Sequence, residues 1–289
     1  MFEGSMVALV TPVKGGAIDF ESIENLIEFH VEKGTDVIVP CGCTGEAATL
    51  AHNEHKAVMD FVVEHVRKRV PVIPGTGSNS TQEALELTRH AHEIGADAAL
   101  MISPYYNKPT PAGVYAHYKT VAEAVPIPII LYNVPSRTGI SMKPETVAAL
   151  SEIDNIVAIK EASGNMDQVS SIAALCDITI ISGDDSMTLP ILSVGGRGVI
   201  SVVANVVPDR VAKLVHSFLD GDIDTARELH KQMLPLCKAM FIETNPLPVK
   251  KTLSLLGMIE NEFRLPLVPL SKDKEPELIE VLKQQQVLS

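Results

Sequence analysis

Short apolar runs recur along the chain, and each is followed by a stretch whose apolar residues fall three and four apart. The runs occupy residues 7–10, 37–40, 72–74, 98–102, 129–132, 156–160, 179–182 and 198–201. Continuous apolar runs of this length predict strands buried on both faces, as in a parallel sheet. Between them, Ile23, Leu26, Ile27, His30 and Val31 share one helical face. So do Val58, Phe61, Val62 and Val66; Ala84, Leu87, Ala91 and Ile94; and Val169, Ile172, Ala173 and Cys176. Ser80-Thr81-Gln82-Glu83 predicts a capping box, and Gly34 and Gly95 predict helix ends. Eight βα cycles without a long linker favour a closed (β/α)8 TIM barrel; a doubly wound sheet is the alternative that spacing leaves open.

After residue 201 the strand pattern stops. Val211, Leu214, Val215 and Phe218 mark the last barrel helix. Beyond Gly221 the periodicity is helical only: Ala226, Leu229 and Met233, then Val249, Leu253 and Leu256, then Ile279 and Leu282. Asn245-Pro246-Leu247-Pro248 must interrupt the helices, because proline lacks the donor and restricts its predecessor. The reading is a catalytic barrel over residues 1–221 and a small C-terminal helical domain over 222–289. The length of 289 residues fits, since a TIM barrel takes about 250.

Composition narrows the function. The chain is 46% hydrophobic and carries a formal net charge of −12, so it can build a core but is ill suited to phosphate backbones or anionic membranes. The start, Met1-Phe2-Glu3-Gly4, has an acid where a secretory signal needs bases, and no apolar stretch approaches a membrane span. Cys41, Cys43, Cys176 and Cys237 follow no usual zinc or redox spacing and read as reduced thiols. The expectation is a soluble cytoplasmic protein that binds neither nucleic acid nor membrane.

In barrels of this kind the chemistry lies at the C-terminal ends of the strands. Lys160 closes the apolar strand Ile156-Val157-Ala158-Ile159, where desolvation disfavours the ammonium. A lysine so placed can attack a carbonyl and form a Schiff base, or it can snorkel to water or pair with a carboxylate. Tyr132 ends the neighbouring strand and offers a proton shuttle or a wetted core hydroxyl. Gly42-Cys43-Thr44-Gly45 offers backbone N–H groups to a small carboxylate, or is an ordinary turn. Arg137 is a fork for a second carboxylate, or half of a surface ion pair.

Other motifs carry less. Gly195-Gly196-Arg197-Gly198 resembles a phosphate loop but precedes a strand, which puts it on the structural face. Asp184-Asp185 suits a helix cap better than a metal, and His52-x-x-His55 lacks a third ligand. No nucleotide-binding fingerprint is present.

Taken together, Phe2-Glu3-Gly4-Ser5, Thr11-Pro12, Gly42-Cys43-Thr44-Gly45-Glu46, Pro104-Tyr105-Tyr106-Asn107, the segment from Tyr132 to Gly139, Ile159-Lys160-Glu161-Ala162, Ser182-Gly183-Asp184-Asp185 and Asn245-Pro246-Leu247-Pro248-Val249-Lys250 resemble the pyruvate-dependent class I aldolase and lyase family. The resemblance covers essentially the whole chain and is best to the dihydrodipicolinate synthase branch. It implies that Lys160 forms an imine with pyruvate and needs no other cofactor. It implies that Tyr132 relays protons and that Tyr106 enters the neighbouring subunit's site. Cys43 and Thr44 would hold the pyruvate carboxylate through their N–H groups, Arg137 would hold the carboxylate of L-aspartate-4-semialdehyde, and Gly183 and Ile200 would complete the substrate site. The product would be 4-hydroxy-tetrahydrodipicolinate, for lysine and diaminopimelate biosynthesis. A homotetramer built as a dimer of tight dimers is implied, and the helical tail would aid assembly.

Cys43 departs from the pattern, because the family usually has threonine there and a thiol is the weaker hydrogen-bond partner. Positions matching His52, Asn79, Glu83 and Tyr105 bind L-lysine in inhibited members, although Ala47 stands where some of those have serine. Two other functions share the barrel: a sister aldolase for a 2-keto-3-deoxy sugar acid, disfavoured by Arg137, and a silent metabolite-binding regulator, disfavoured by Lys160, Tyr132 and Arg137 together. The site should form an electropositive mouth in an acidic shell.

Overall fold

The computed structural model describes residues 2–288; Met1 and Ser289, the outer ends of the two expected parts, lie outside them. The chain opens with strand β1 (Gly4–Ala8) and a small hairpin of β2 (Val13–Lys14) and β3 (Ala17–Ile18). Then come α1 (Phe20–Glu32), β4 (Val37–Val39), α2 (His52–Val66), α3 (Thr81–Glu93), β5 (Ala99–Ile102) and α4 (Pro111–Ala124). β6 (Ile129–Asn133) is followed by the short α5 (Pro135–Thr138) and by α6 (Pro144–Ser151). β7 (Ile156–Glu161), α7 (Met166–Leu175), β8 (Thr179–Ser182), α8 (Thr188–Ser193), β9 (Gly198–Ser201) and α9 (Pro208–Leu219) complete the alternation.

Seven parallel strands run in the order β4-β1-β9-β8-β7-β6-β5. The segment 71–76 closes the circle between β4 and β5. Ile38 accepts from Ile73 and donates to Pro71, while Leu100 donates to Pro74 and accepts from Thr76. It pairs as two isolated bridges rather than a regular strand, since Pro71 and Pro74 have no N–H to give a ladder. The (β/α)8 TIM barrel expected from the pattern is therefore present, with one strand weakened by proline. The first strand lies three residues earlier than the apolar run at 7–10 suggests: Leu9 and Val10 are buried loop, so apolarity there reports burial and not strand.

Alternation along the strands fills two cores. Met6, Val37, Ile73, Leu100, Ile130, Ala158, Ile181 and Ile200 point into the barrel. Val7, Ile38, Ala99, Leu131, Ile159, Ile180 and Val199 pack outward against the helices. Both faces are buried, which is why the runs read as continuous. Ser80 caps α3 by accepting from Glu83 N–H at 3.4 Å, but the full capping box does not form. The Glu83 carboxylate turns instead to Ser78 Oγ and to His52 Nε2.

The remaining chain is helical: α10 (Ile223–Ala239), α11 (Leu247–Leu255) and α12 (Glu275–Gln284). This part packs its apolar residues, Met233, Leu236 and Leu253 among them, into the outer core, and polar contacts tie it to the barrel mouth. Lys250 meets Glu46 at 2.5 Å, and Arg264 grips Glu54 with two bonds of 2.6 and 2.7 Å. Glu262 accepts from Gly15 and Gly16 in the hairpin turn. Among the described residues no helix is long and apolar enough to cross a membrane.

Candidate active site

Parallel pairing brings the strand ends into one space. Tyr132 on β6 lies opposite Lys160 on β7, and Lys160 lies opposite Ile181 on β8. Tyr132 and Lys160 share a cavity of about 690 Å³ with Cys43, Thr44, Arg137 and Gly183.

Lys160 is only 6% exposed. Its Nζ sits 4.3 Å from the centre of the Tyr132 ring, and no ion pair to it is found among the described residues. Burial lowers its pKa from 10.5 to about 8; the Cys43 thiol and the Asp185 carboxylate oppose that shift, and Arg137 adds to it. A usable share of neutral amine thus exists near neutral pH. Burial also lifts the Tyr132 phenol well above its usual range, and neighbouring Cys43 adds to this. Tyr132 therefore rests protonated, as a proton donor must. Gly183 makes room for the lysine: a Cβ there would lie 2.9 Å from Lys160 Cε and 2.7 Å from Ala162 Cβ.

The turn after β4 is held rigidly. Cys41 and Glu46 take left-handed φ values of 57° and 53°, and Thr11 Oγ1 donates to Gly45 O at 2.7 Å. Gly75 is required beside it, since a Cβ would fall 2.2 Å from Cys41 O. No acceptor among the described residues engages the N–H groups of Cys43 or Thr44. They remain available to a small anion at the cavity wall. Arg137, on α5, lines the same cavity and donates to Asn245 O at 2.9 Å. Lys160, Arg137 and Lys238 against Asp184 and Glu243 give the cavity lining a positive excess within an acidic chain.

Two expected residues lie apart. Ile200 is buried in the barrel interior and does not line the cavity. Tyr106 is 89% exposed, held outward by a left-handed φ of 69°. A second cavity of about 560 Å³ shares the wall made by Cys43, Tyr132, Arg137 and Asn245. His52, Glu83 and Tyr105 line it together; Asn79 does not, and its carbonyl accepts from Asn107 at 2.8 Å.

Sequence reasoning missed two contributors. Asp184 caps its turn as expected, but Asp185 is buried and binds Ser201 Oγ and the N–H groups of Val202 and Val203, fixing the end of β9. Asn245, read as a helix breaker and as part of a family segment but given no site role, joins the cavity from the C-terminal part. Its signals were a polar residue before a proline between two helices and its place in the segment Asn245-Pro246-Leu247-Pro248-Val249-Lys250. His55 is committed to Gly75 O at 2.8 Å, and the glycine run at 195–198 lies before β9, at the structural face. No cluster of three or more metal-binding side chains occurs among the described residues.

A parallel barrel carrying a buried, unpaired lysine beside a phenol at its mouth defines a lyase of the class I aldolase type. The chain belongs to the dihydrodipicolinate synthetase family, whose model matches residues 1–285. It is 55% identical to 4-hydroxy-tetrahydrodipicolinate synthase of Geobacter sp. (strain M21), over 290 aligned positions and 100% of both chains. It matches a chloride-inhibited dihydrodipicolinate synthase from Acinetobacter baumannii complexed with pyruvate, with TM-score 0.98, 43% identity and 100% of both chains covered. It matches a synthase from Cyanidioschyzon merolae with lysine bound, with TM-score 0.96, 40% identity and 99% of both chains covered.

Proposed function

We propose that this protein condenses pyruvate with L-aspartate-4-semialdehyde to 4-hydroxy-tetrahydrodipicolinate, in lysine and diaminopimelate biosynthesis. The observation that carries this is the unpaired Lys160 beside Tyr132 in a cavity that also offers Arg137 and free turn amides. Neutral Lys160 attacks the pyruvate ketone, and loss of water gives the imine. The pyruvate carboxylate rests on the Cys43 and Thr44 N–H groups. Loss of a methyl proton gives an enamine, whose carbon attacks the aldehyde. Tyr132 returns protons to the oxygens that acquire charge. Ring closure by the substrate amine releases Lys160. The lysine itself is the covalent catalyst, so the reaction draws on no added cofactor.

The finer readings accompany this reaction. Residues 1–221 supply the catalytic barrel and 222–289 its helical cap. Gly183 shapes the substrate space, and Ile200 backs it from the barrel interior. The chain works in the cytoplasm as a homotetramer in which Tyr106 serves the neighbouring subunit; its 89% exposure supports this. L-lysine occupies the second cavity, where His52, Glu83 and Tyr105 meet, with Asn79 nearby. Turnover unchanged in millimolar lysine would remove that assignment.

The test of the reaction is a stoichiometric assay. Pyruvate and aspartate semialdehyde should disappear one for one, and a 2-keto-3-deoxy sugar acid should not be cleaved. Cleavage of the sugar acid without condensation would overturn the proposal.

A further inference from the structure

Asn245 engages two of its polar atoms and leaves a third without a partner. Its main-chain oxygen accepts from Arg137 Nη2 at 2.9 Å. Its Nδ2 donates to Thr44 Oγ1 at 2.9 Å. Its Oδ1 is buried and has no donor among the described residues. The residue is 5% exposed and lines both cavities. A buried acceptor without a protein donor calls for a partner, and at a cavity wall a ligand group can supply it.

The missing donor has a definite chemistry. Of the two carboxylates lining the catalytic cavity, Glu243 spends both oxygens on Ser271 and Asp184 spends Oδ1 on Ser186. Asn245 Oδ1 is a buried, unspent acceptor on the same residue that Arg137 binds. An α-amino acid carries its carboxylate and its ammonium on one carbon. A carboxylate on the Arg137 fork would bring that ammonium to the residue to which Arg137 is itself bonded.

We infer that Asn245 determines specificity for the amino-aldehyde: it ties Thr44 to Arg137 and accepts the substrate's α-ammonium on Oδ1. This rests on the reaction proposed above. The pyruvate amides and the carboxylate fork would then share one crossbar, supplied by the C-terminal part of the chain. An aldehyde lacking the amino group would satisfy Arg137 and leave Oδ1 unpaired.

The experiment compares L-aspartate-4-semialdehyde with 4-oxobutanoate, the same aldehyde acid without the amine. The KM of the first and the inhibition constant of the second are measured in the wild type and in Asn245→Ala. Losing a hydrogen bond to a charged group should raise the KM about ten- to a hundredfold. The inhibition constant of 4-oxobutanoate should stay within about threefold, because Arg137 is held by the main-chain oxygen of residue 245, which the substitution keeps. Equal changes for both compounds, or none for either, would overturn the inference. Should Asn245→Ala fail to fold, Asn245→Asp keeps an acceptor and should retain the preference for the amine; loss of that preference would overturn it. Borohydride reduction with pyruvate alone separates the two levels. Absence of an adduct in the wild type defeats the proposed reaction, whereas an adduct with unchanged selectivity defeats only the role of Asn245.

Discussion

Lys160 and Lys250 are both buried lysines, and both border the turn at 41–46, yet their surroundings differ in kind. Lys250 is fully buried, meets Glu46 at 2.5 Å, donates to Glu262 O at 2.8 Å and lies 4.5 Å from the Phe263 ring centre. Lys160 shares its cavity with a phenol and a thiol and has no ion-pair partner among the described residues. Burial pulls both lysines below the ordinary range; at Lys250 the Glu46 carboxylate pulls back. The difference separates structure from chemistry. A compensated buried charge joins the C-terminal part to the barrel, and an uncompensated one is left to react.

Four changes break or sharpen this contrast. The largest effects come from deleting each lysine. Lys160→Ala should lower turnover by about 10⁴-fold or more while leaving the melting temperature unchanged or raised, because a desolvated cation is removed. Lys250→Ala should do the reverse: it strands Glu46 and should cost about 3–5 kcal/mol in chemical denaturation. Equal destabilisation by both would erase the distinction.

Next is Gly183→Ala. Its Cβ would meet Lys160 Cε at 2.9 Å and Ala162 Cβ at 2.7 Å, so the amine must shift. Displacements near 1 Å cost about 10²-fold, and kcat/KM for pyruvate should fall to that extent with the fold retained. Unchanged kcat/KM would show that Lys160 tolerates other positions.

The third change is pH. Imine formation needs the neutral amine, so its rate at low pyruvate should rise through an apparent pKa of about 8 and then level. Stability follows the same group with a definite sign. Between about pH 8 and 10.5 the unfolded lysine binds more protons than the folded one, so the Lys160 contribution improves as pH rises through that window. Below it the penalty is constant. A rate still climbing at the ordinary lysine value would contradict the desolvated site. The smallest effect is expected from Cys43→Thr, which should keep or raise turnover because the carboxylate cradle uses backbone N–H groups. A large loss would give the thiol a role of its own.

Much of this was legible in the chain. Lys160 and Tyr132 could be found because each ends an apolar run, and parallel pairing makes such ends converge. The turn at 42–45 was found for the same reason. Local patterns fail where a contact is distant. Asn245 and Lys250 meet Thr44 and Glu46 across 201 and 204 residues, and nothing beside them in sequence shows it. Register was misjudged where burial and strand pairing part company, at Leu9 and Val10. Glu83 was assigned to a cap because its spacing from Ser80 fits, but Ser78 and His52 compete for the same carboxylate. Ile200 was expected from resemblance alone, and its side chain lies in the barrel interior behind the cavity wall.

Catalysis turns on covalent attachment at one nitrogen. The protein should be incubated with pyruvate and borohydride, digested, and mapped by mass spectrometry. A single reduced pyruvyl adduct on Lys160, with Lys250 unmodified, is the result expected. An adduct elsewhere, or none, would contradict it.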